Sequence, residues 1–273
     1  MNSLVPFLSC TSISKVFGDP RKPGVEALRN VSFEQAKGEV VALLGPSGCG
    51  KSTLLRIVAG LEKPTQGVVS VADRRVVGPG GDRGMVFQSY TAFDWLTVQQ
   101  NVEFGLTLAG RGRAERRERA QTFIDLVHLG KFQNAYPSTL SGGMKQRLAI
   151  ARTFANDPDI ILMDEPFGAL DSETRWIMQE LLLSIVQRTH ATVLIVTHDL
   201  DEAIFLADKI VFLDAHPGRI KETIKVGIKK TGELRREEAF DDPDYRRLHR
   251  HLMGLMRDAV STGRLGSSEG AES

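Results

Sequence analysis

Cysteine is scarce in this sequence, and long apolar runs are missing. Two cysteines among 273 residues, Cys10 and Cys49, cannot build a disulfide framework, and so small a number is typical of a reducing compartment. No apolar stretch approaches the roughly 18 residues that a membrane-spanning helix needs. Residues 1–8 carry no basic segment of the kind that opens a secretory signal. We therefore expect a soluble intracellular protein, in which any role at a membrane depends on a partner.

A surplus of charge of either sign is also absent. The 35 basic side chains nearly cancel the 34 acidic ones, so no overall field attracts nucleic acid or an anionic bilayer. The six histidines and two cysteines show none of the spacings that zinc sites use. These absences argue against a nucleic-acid-binding protein and against a structural zinc site.

Short apolar runs alternate with helix-like segments, which is typical of an α/β fold. The predicted strands are Val40–Leu44, Val68–Val71, Met85–Phe87, Ile160–Met163, Thr192–Val196 and Ile210–Leu213. The predicted helices are Lys51–Ala59, Val98–Ala109, Ala114–His128, Gly142–Ala155, Ser172–Arg188 and Leu200–Ala207. The first forty residues, with a strand-like run at Val31–Phe33, predict an antiparallel layer, and Ile220–Ile228 predicts edge strands. The continuous apolar runs predict a central, mostly parallel sheet.

The sequence predicts one main domain without an internal repeat. It covers residues 8–225 and includes a helical insert at about 89–155. A short helical extension is predicted at 226–260, where Leu248, Leu252, Leu255 and Met256 share one helix face. Residues 261–273 are small, polar and rich in Gly and Ser, which predicts disorder.

A glycine-rich octapeptide follows the strand Val40–Leu44 and opens the next helix. It matches G-x-x-x-x-G-K-[ST], and in this position the pattern predicts a phosphate-binding loop, or P-loop, rather than an ordinary turn. Glycines let backbone N–H groups curl around a phosphate, and the helix N-terminus adds donors and the positive end of its dipole. We expect Lys51 to reach the β- and γ-phosphates, Ser52 to ligate Mg²⁺, and Cys49 only to fill space. The predicted nucleotide-binding residues of this segment are Gly45, Pro46, Ser47, Gly48, Cys49, Gly50, Lys51, Ser52 and Thr53.

Two carboxylates end the apolar run Ile160–Met163. They fall at the C-terminal edge of a buried strand, where ligand sites of α/β folds form. Asp164 is suited to the Mg²⁺ shell, and Glu165 to polarising the water that attacks the γ-phosphate. The alternative is that Glu165 is a strand-end carboxylate in solvent.

The segment Leu140–Arg147, with the sequence LSGGMKQR, predicts a second anion site. Ser141, Gly142 and Gly143 open an amphipathic helix, whose first turn offers N–H donors. Since one P-loop holds one triphosphate, a second γ-phosphate cradle implies use by a partner chain. Taken alone, the segment is also explained as a plain N-cap.

Together these motifs resemble the nucleotide-binding domain of ABC transporters, over roughly Leu8 to Lys225. The resemblance implies a P-loop NTPase fold with an antiparallel β layer and a helical insert, which uses ATP and Mg²⁺. It also implies a head-to-tail dimer, in which each P-loop faces Ser141, Gly142, Gly143 and Met144 of a second copy or a homologous motor. The family has glutamine where Met144 and Lys145 stand, and methionine is a tolerated variant.

The same resemblance assigns roles to four further residues. Phe17 would stack on adenine, with a core or turn position as the alternative. Gln88 would sense Mg²⁺ and water, and Asp171 would couple the two active sites. His198 would contact the γ-phosphate, and it alone among the histidines follows a predicted strand and opens a helix.

Residues 89–102 decide between branches of the family. Trp95-Leu96-Thr97-Val98 resembles a stretch of the nitrate, sulfonate and taurine importers, although Asp94 stands where proline is usual. The segment 216–220 (HPGRI) also resembles that branch. This implies a permease contact near Gln88–Val102, with packing of Trp95 into the insert as the alternative. The complex would include an extracytoplasmic solute-binding protein and would place this chain at the cytoplasmic face of the inner membrane.

Two other classes stay open. One is the motor of another ABC transporter, which imports a different solute or is an exporter. The other is an ABC ATPase that moves no solute. DNA-repair and chromosome ATPases need a long coiled coil for which Gln88 to Leu140 is too short, and translation factors of this kind carry two motors. The sequence therefore favours an ATPase that drives an importer, without nucleic acid as a partner.

Overall fold

The computed structural model describes residues 6–18, 24–89, 91–228 and 240–268. These residues divide into two compact units. The first unit spans residues 1–80 and 192–273, and the second spans residues 81–191.

The first unit contains the predicted antiparallel layer. Its strands are β1 (Leu8–Phe17), β2 (Val25–Gln35), β4 (Gln66–Val71) and β5 (Arg74–Arg75), in the order β2-β1-β4-β5. The two residues between β4 and β5 have positive φ, 47° at Ala72 and 60° at Asp73. This is the backbone that a two-residue hairpin needs, and the sequence did not predict β5 because neither turn residue is glycine.

The first unit also contains four strands of the main sheet. They are β3 (Val40–Leu44), β8 (Val193–Thr197), β9 (Lys209–Asp214) and β10 (Arg219–Lys225), in the order β10-β9-β3-β8. All residues of β3 and β8 are buried, and β3 is parallel to both of its neighbours. β10 is antiparallel to β9, and its side chains alternate between half-buried and exposed, as at a sheet edge. Helices α1 (Lys51–Ala59) and α6 (Leu200–Leu206) follow β3 and β8.

Over its described residues, the second unit contains a parallel pair of strands and four α-helices. Strands β6 (Arg83–Val86) and β7 (Ile160–Asp164) pair in parallel, with Val86 opposite Met163. The helices are α2 (Val98–Leu108), α3 (Arg113–Leu126), α4 (Gly142–Ala155) and α5 (Ser172–Thr189). Helices α2, α3 and α4 pack on one another within the range predicted as a helical insert. Two 3₁₀ turns, Gly130–Phe132 and Pro137–Thr139, connect α3 to α4.

The last helix, α7 (Pro243–Ser268), lies in the first unit and packs against α6. Its buried residues include Leu252 and Leu255 of the predicted apolar face. The helix continues to Ser268, so the prediction of disorder is wrong for residues 261–268, while 269–273 lie outside the described residues. Propagation of a helix already nucleated by packed residues gains one hydrogen bond per residue and overrides a weak local propensity. Within the described ranges, no helix has the length and apolarity to cross a bilayer.

Candidate functional site

The P-loop lies between β3 and α1, as predicted. The buried strand β3 leads into Gly45, and Gly50 is the N-cap of α1 with a left-handed φ of 91°. The N-cap has no side chain to accept a hydrogen bond from the first helical turn, and that turn carries no acidic residue. Both features suit an anion at this end of α1, where N–H donors and the dipole point outward.

Lys51 is 95% buried beneath this loop, and its ammonium is folded back on it. Nζ donates to Gly45 O at 2.7 Å and to Pro46 O at 2.9 Å. These acceptors are neutral carbonyls. A phosphate oxygen is negatively charged and is therefore a stronger acceptor for an ammonium than a neutral carbonyl oxygen is. These two contacts therefore hold the Lys51 ammonium inside the loop, and oxygens of a polyphosphate can replace the two carbonyl oxygens.

Cys49 is fully buried within the loop. Burial raises the pKa of its thiol, although the charge of Lys51, whose Nζ lies 3.7 Å from Sγ, acts in the opposite direction. The thiol therefore stays protonated, which supports the prediction that this residue fills space.

The segment 216–218 lies against the P-loop through Gly218, a contact that the sequence did not predict. Gly218 N donates to Ala27 O at 3.0 Å, and its carbonyl accepts from Arg29 N at 2.9 Å. A Cβ at Gly218 would lie 2.1 Å from Cys49 O, a distance that atoms do not reach. Only glycine fits at this position. The glycine in the segment 216–220 was therefore the feature of the sequence that could have indicated this close contact.

His198 follows β8 directly and lies beside the P-loop. Its side chain lines a cavity of about 530 Å³ together with Pro46, Ser47 and His216. The next residue, Asp199, caps α6 by accepting from Glu202 N at 3.1 Å. The structure thus brings His198 to the P-loop, as the strand-end argument predicted.

Phe17 ends β1 with its ring 41% exposed. The exposure argues against a core position, while the turn position, the other part of that alternative, stays open because Phe17 is the last residue of β1. Lys15 Nζ lies 4.7 Å from the ring centroid and also bonds Glu62 Oε1 at 2.6 Å. An exposed ring of this kind has a face on which a base can stack.

In the second unit, the ends of β6 and β7 bring Gln88 and Glu165 together. Gln88 Nε2 lies 3.4 Å from Glu165 Oε2, and Asp164 is 93% buried at the end of β7. Glu165 has a φ of 45°. A non-glycine residue in this region is strained, and such strain concentrates where a side chain must be aimed.

Two helices of the second unit begin with predicted site residues. Ser141 caps α4, and its hydroxyl accepts from Met144 N at 3.3 Å. Asp171 caps α5, and its carboxylate accepts from Thr174 N at 2.9 Å, which lowers the pKa of this carboxyl. The α4 cap by itself satisfies the plain N-cap explanation, so the role of this segment in a partner's site stays a prediction.

The segment before α2 exposes aromatic rings, and we call residues 91–97 the aromatic loop. Trp95 is 72% exposed, so the prediction that it packs into the insert is the weaker alternative. Phe93 contacts the rings of Trp95 and Phe104, with centroids 5.4 and 4.5 Å apart. The fully buried Asn101 holds the loop, accepting from Phe93 N at 2.8 Å and donating to the carbonyls of Phe93, Leu96 and Thr97.

In the portion of the chain that is described, no group of three His, Cys, Asp or Glu side chains is arranged to hold a metal. The hydroxyl of Ser52 and the carboxylate of Asp164 are hard oxygen donors, the type that Mg²⁺ prefers. Their chemistry therefore fits the ion that a nucleoside triphosphate brings with it.

Comparison with known proteins identifies the family. The family model described as ABC transporter matches residues 28–168. The chain is 46% identical to the nitrate import ATP-binding protein NrtD of Synechocystis sp., over 92% of this chain and 95% of that protein. It is 40% identical to the taurine import ATP-binding protein TauB of Jannaschia sp., over 92% and 94% of the two chains.

A solved structure agrees with these matches. The dimeric structure of MJ0796, a bacterial ABC transporter cassette, superposes with a TM-score of 0.71 at 35% identity, covering 81% of this chain and 100% of that one. The P-loop, the strand-end acids and the serine-capped helix occur in the order that this family predicts. The chain therefore belongs to the ABC transporter family, as one of its ATP-binding subunits.

Proposed function

We propose that this chain hydrolyses ATP to drive a membrane importer for a small oxyanion such as nitrate, a sulfonate or taurine. The observation that carries the proposal is the pair of predicted anion sites, at α1 and at α4, in a chain similar to import ATP-binding proteins over nine-tenths of its length. Transport would take place in a complex with permease subunits and a solute-binding protein, with this chain at the cytoplasmic face of the inner membrane.

Nucleotide binding begins at the ammonium group of Lys51, which two loop carbonyls hold before the nucleotide arrives. Lys51 exchanges the carbonyls of Gly45 and Pro46 for oxygens of the β- and γ-phosphates. The backbone N–H groups of the loop and of α1, through Thr53, complete the cradle. Phe17 supplies the face for adenine.

Hydrolysis is assigned to the residues that follow β6 and β7. Glu165 accepts a proton from the attacking water, and Gln88, 3.4 Å away, orients that water. Ser52, Gln88 and Asp164 are the residues that would hold Mg²⁺. The ion neutralises charge on the phosphate oxygens.

A dimer completes the site. Ser141, Gly142, Gly143 and Met144 of one copy bind the γ-phosphate held by Lys51 and His198 of the other, and Asp171 couples the two sites. Closure excludes all but the reacting water, so the site forms only when ATP is bound. ATP must favour the closed form by several kcal/mol to shift the equilibrium substantially.

The aromatic loop is assigned to the permease. The exposed ring of Trp95, on a loop fixed by a buried asparagine, makes a rigid anchor for a partner's helix. The loop lies next to Gln88 in the sequence, so a change at the nucleotide site has a short path to the permease.

Light scattering of Glu165→Gln tests the proposal. This variant should bind Mg·ATP and hydrolyse it at least about a hundredfold more slowly than wild type. With Mg·ATP we expect a dimer, and without nucleotide a monomer. Near-normal hydrolysis by the variant would remove Glu165 as the base.

Two further substitutions separate the roles in the same background. Ser141→Arg should abolish the dimer while ATP binding persists, because a large cation cannot occupy the cradle at α4. Lys51→Ala should lose ATP binding and the dimer together. An ATP-dependent dimer that survives Ser141→Arg would contradict the assignment of α4 to the partner's nucleotide.

A further inference from the structure

A cavity of about 470 Å³ lies along α7, within the first unit. Helix α7 supplies most of the lining, and Asp201 at the first turn of α6 and Phe240 before α7 supply the rest. Cavities of this size hold small organic molecules rather than single inorganic ions. The cavity plays no part in the function proposed above.

Cationic side chains dominate its lining. Arg246, Arg250 and Arg257 are all present, spaced so that they share one side of α7. Arg246 is paired with Asp241 at 2.5 Å. In the part of the chain that is described, the guanidinium groups of Arg250 and Arg257 have no hydrogen bond or ion pair.

Among the described residues, Asp201 is the single acid in the lining, and its side chain is hydrogen-bonded. Asp201 Oδ1 accepts from Tyr245 OH at 2.6 Å and lies 3.5 Å from His249 Nε2. Asp201 keeps its negative charge, but among the described residues it forms no ion pair with Arg250 or Arg257, and the arginines of the lining outnumber it three to one. Two forked donors thus face the cavity, and guanidinium forks favour carboxylate, sulfonate and phosphate groups.

Of the remaining lining residues, His249 is polar, and Phe240, Tyr245 and Met253 supply apolar surface. The rings of Phe240 and Tyr245 meet edge to face with centroids 5.1 Å apart, and Met253 lies between the arginines on α7. A bare inorganic anion would leave these surfaces without a partner. The lining therefore fits an anion that carries a hydrocarbon or aromatic part.

A bilayer is a poor occupant of the same surface. Over residues 243–261 of α7, whose side chains are described, Leu252, Leu255 and Ala259 are buried in the protein, and the large apolar side chains exposed are Met253 and Val260, which are too few for insertion into a bilayer. We propose that this cavity, formed by α7 with Asp201 and Phe240, is a binding site for a small organic anion with one carboxylate, sulfonate or phosphate group. Arg250 and Arg257 hold the anionic group, and Phe240, Tyr245 and Met253 contact the apolar part.

The test uses 4-fluorobenzenesulfonate and the full-length chain, with binding followed by ¹⁹F NMR. We expect saturable binding that weakens at least about tenfold in the double variant Arg250→Ala with Arg257→Ala, because two charge-assisted contacts are lost. The neutral analogue 4-fluorobenzyl alcohol should also bind at least about tenfold more weakly than the sulfonate. Both arginines are exposed, so the double variant should fold, and its thermal unfolding is checked in parallel.

Matched variants locate the signal. Arg247→Ala removes the same side chain from the neighbouring position, where it pairs with Asp244 at 2.9 Å outside this cavity, and should change the affinity less than twofold. Lys51→Ala should also retain the probe, because the P-loop is not its site. The proposal is overturned if the double variant and Arg247→Ala bind equally, or if Lys51→Ala abolishes binding. It is also overturned if the chain binds vesicles of anionic lipid through these arginines and not the free sulfonate.

Discussion

At the scale of single residues, the P-loop depends on neighbours that are distant in sequence. Lys51 and Gly50 were predicted from the motif alone, because the pattern fixes a local backbone. Gly218 was not, because its closeness to Cys49 O depends on segments far apart in the chain, which an isolated bridge between Gly218 and Leu28 holds together. The strained backbone at Glu165 is likewise a property of the folded chain, and the residue type at this position does not predict it.

Gly218→Ala tests this support. The new methyl group would collide with Cys49 O, so we expect a loss of about 1–3 kcal/mol in the free energy of unfolding, measured with urea. ATP binding should weaken too, because the loop must move away. Gly227→Ala is the control, since a Cβ at Gly227 has no atom within 4 Å, and it should be neutral or slightly stabilising. Equal losses in the two variants would refute the contact.

At the scale of elements, the sequence located most helices and strands of the core. The buried run Val40–Leu44 and the helices Lys51–Ala59 and Gly142–Ala155 have the predicted bounds, because apolar runs and glycine or serine caps mark their ends. Helix α3 ends at Leu126 instead of His128, whose φ of 57° is incompatible with a helix. The end of α7 was missed because composition does not show that a helix nucleated by packed residues propagates beyond them.

The capping of α5 by Asp171 predicts a pH dependence. Thr174 N–H lowers the pKa of this carboxyl in the folded chain, so the ionised form stabilises the fold above the unfolded value of about 3.9. The stabilisation is lost as the pH falls through the folded value. Asp171→Asn keeps an oxygen and lacks the charge. Its deficit in unfolding free energy should be full at about pH 6 and shrink below about pH 4 in urea titrations, and a deficit that does not change with pH would contradict the argument.

At the scale of the whole molecule, the chain presents surfaces that its own fold does not use. The aromatic loop exposes Trp95, and the balanced charge gives no reason for contact with nucleic acid. The motifs predicted the nucleotide chemistry because it uses a fixed order of residues. They could not reveal the cavity on α7, whose lining combines residues from three segments.

Trp95→Ala tests the assignment of the aromatic loop. In cells that contain the permease, the variant should lose most of its membrane co-fractionation, since a large exposed anchor is removed. Its ATPase activity in isolation should stay within about twofold of wild type, because Trp95 is not part of the nucleotide chemistry. Leu108→Ala removes an apolar side chain that is 76% exposed outside this loop, and it should co-fractionate normally. Equal retention of both variants in the membrane fraction would place the permease contact elsewhere.

Helix α7 borders two cavities at once. Met253 and Arg257 line the cationic cavity, while Met256 and Ala259 line the cavity that contains Ser47 and His198. These residues lie within two turns of a single helix, about 11 Å at most. A shift of the helix at one cavity therefore also moves the residues that line the other cavity. Thermodynamic reciprocity then applies to any ligands of the two cavities. If a ligand of one cavity changes the affinity of the second cavity for its ligand, that second ligand changes the affinity of the first cavity by the same factor. Titrating 4-fluorobenzenesulfonate into the chain with and without bound nucleotide would therefore measure the factor by which ATP changes the affinity for a small anion.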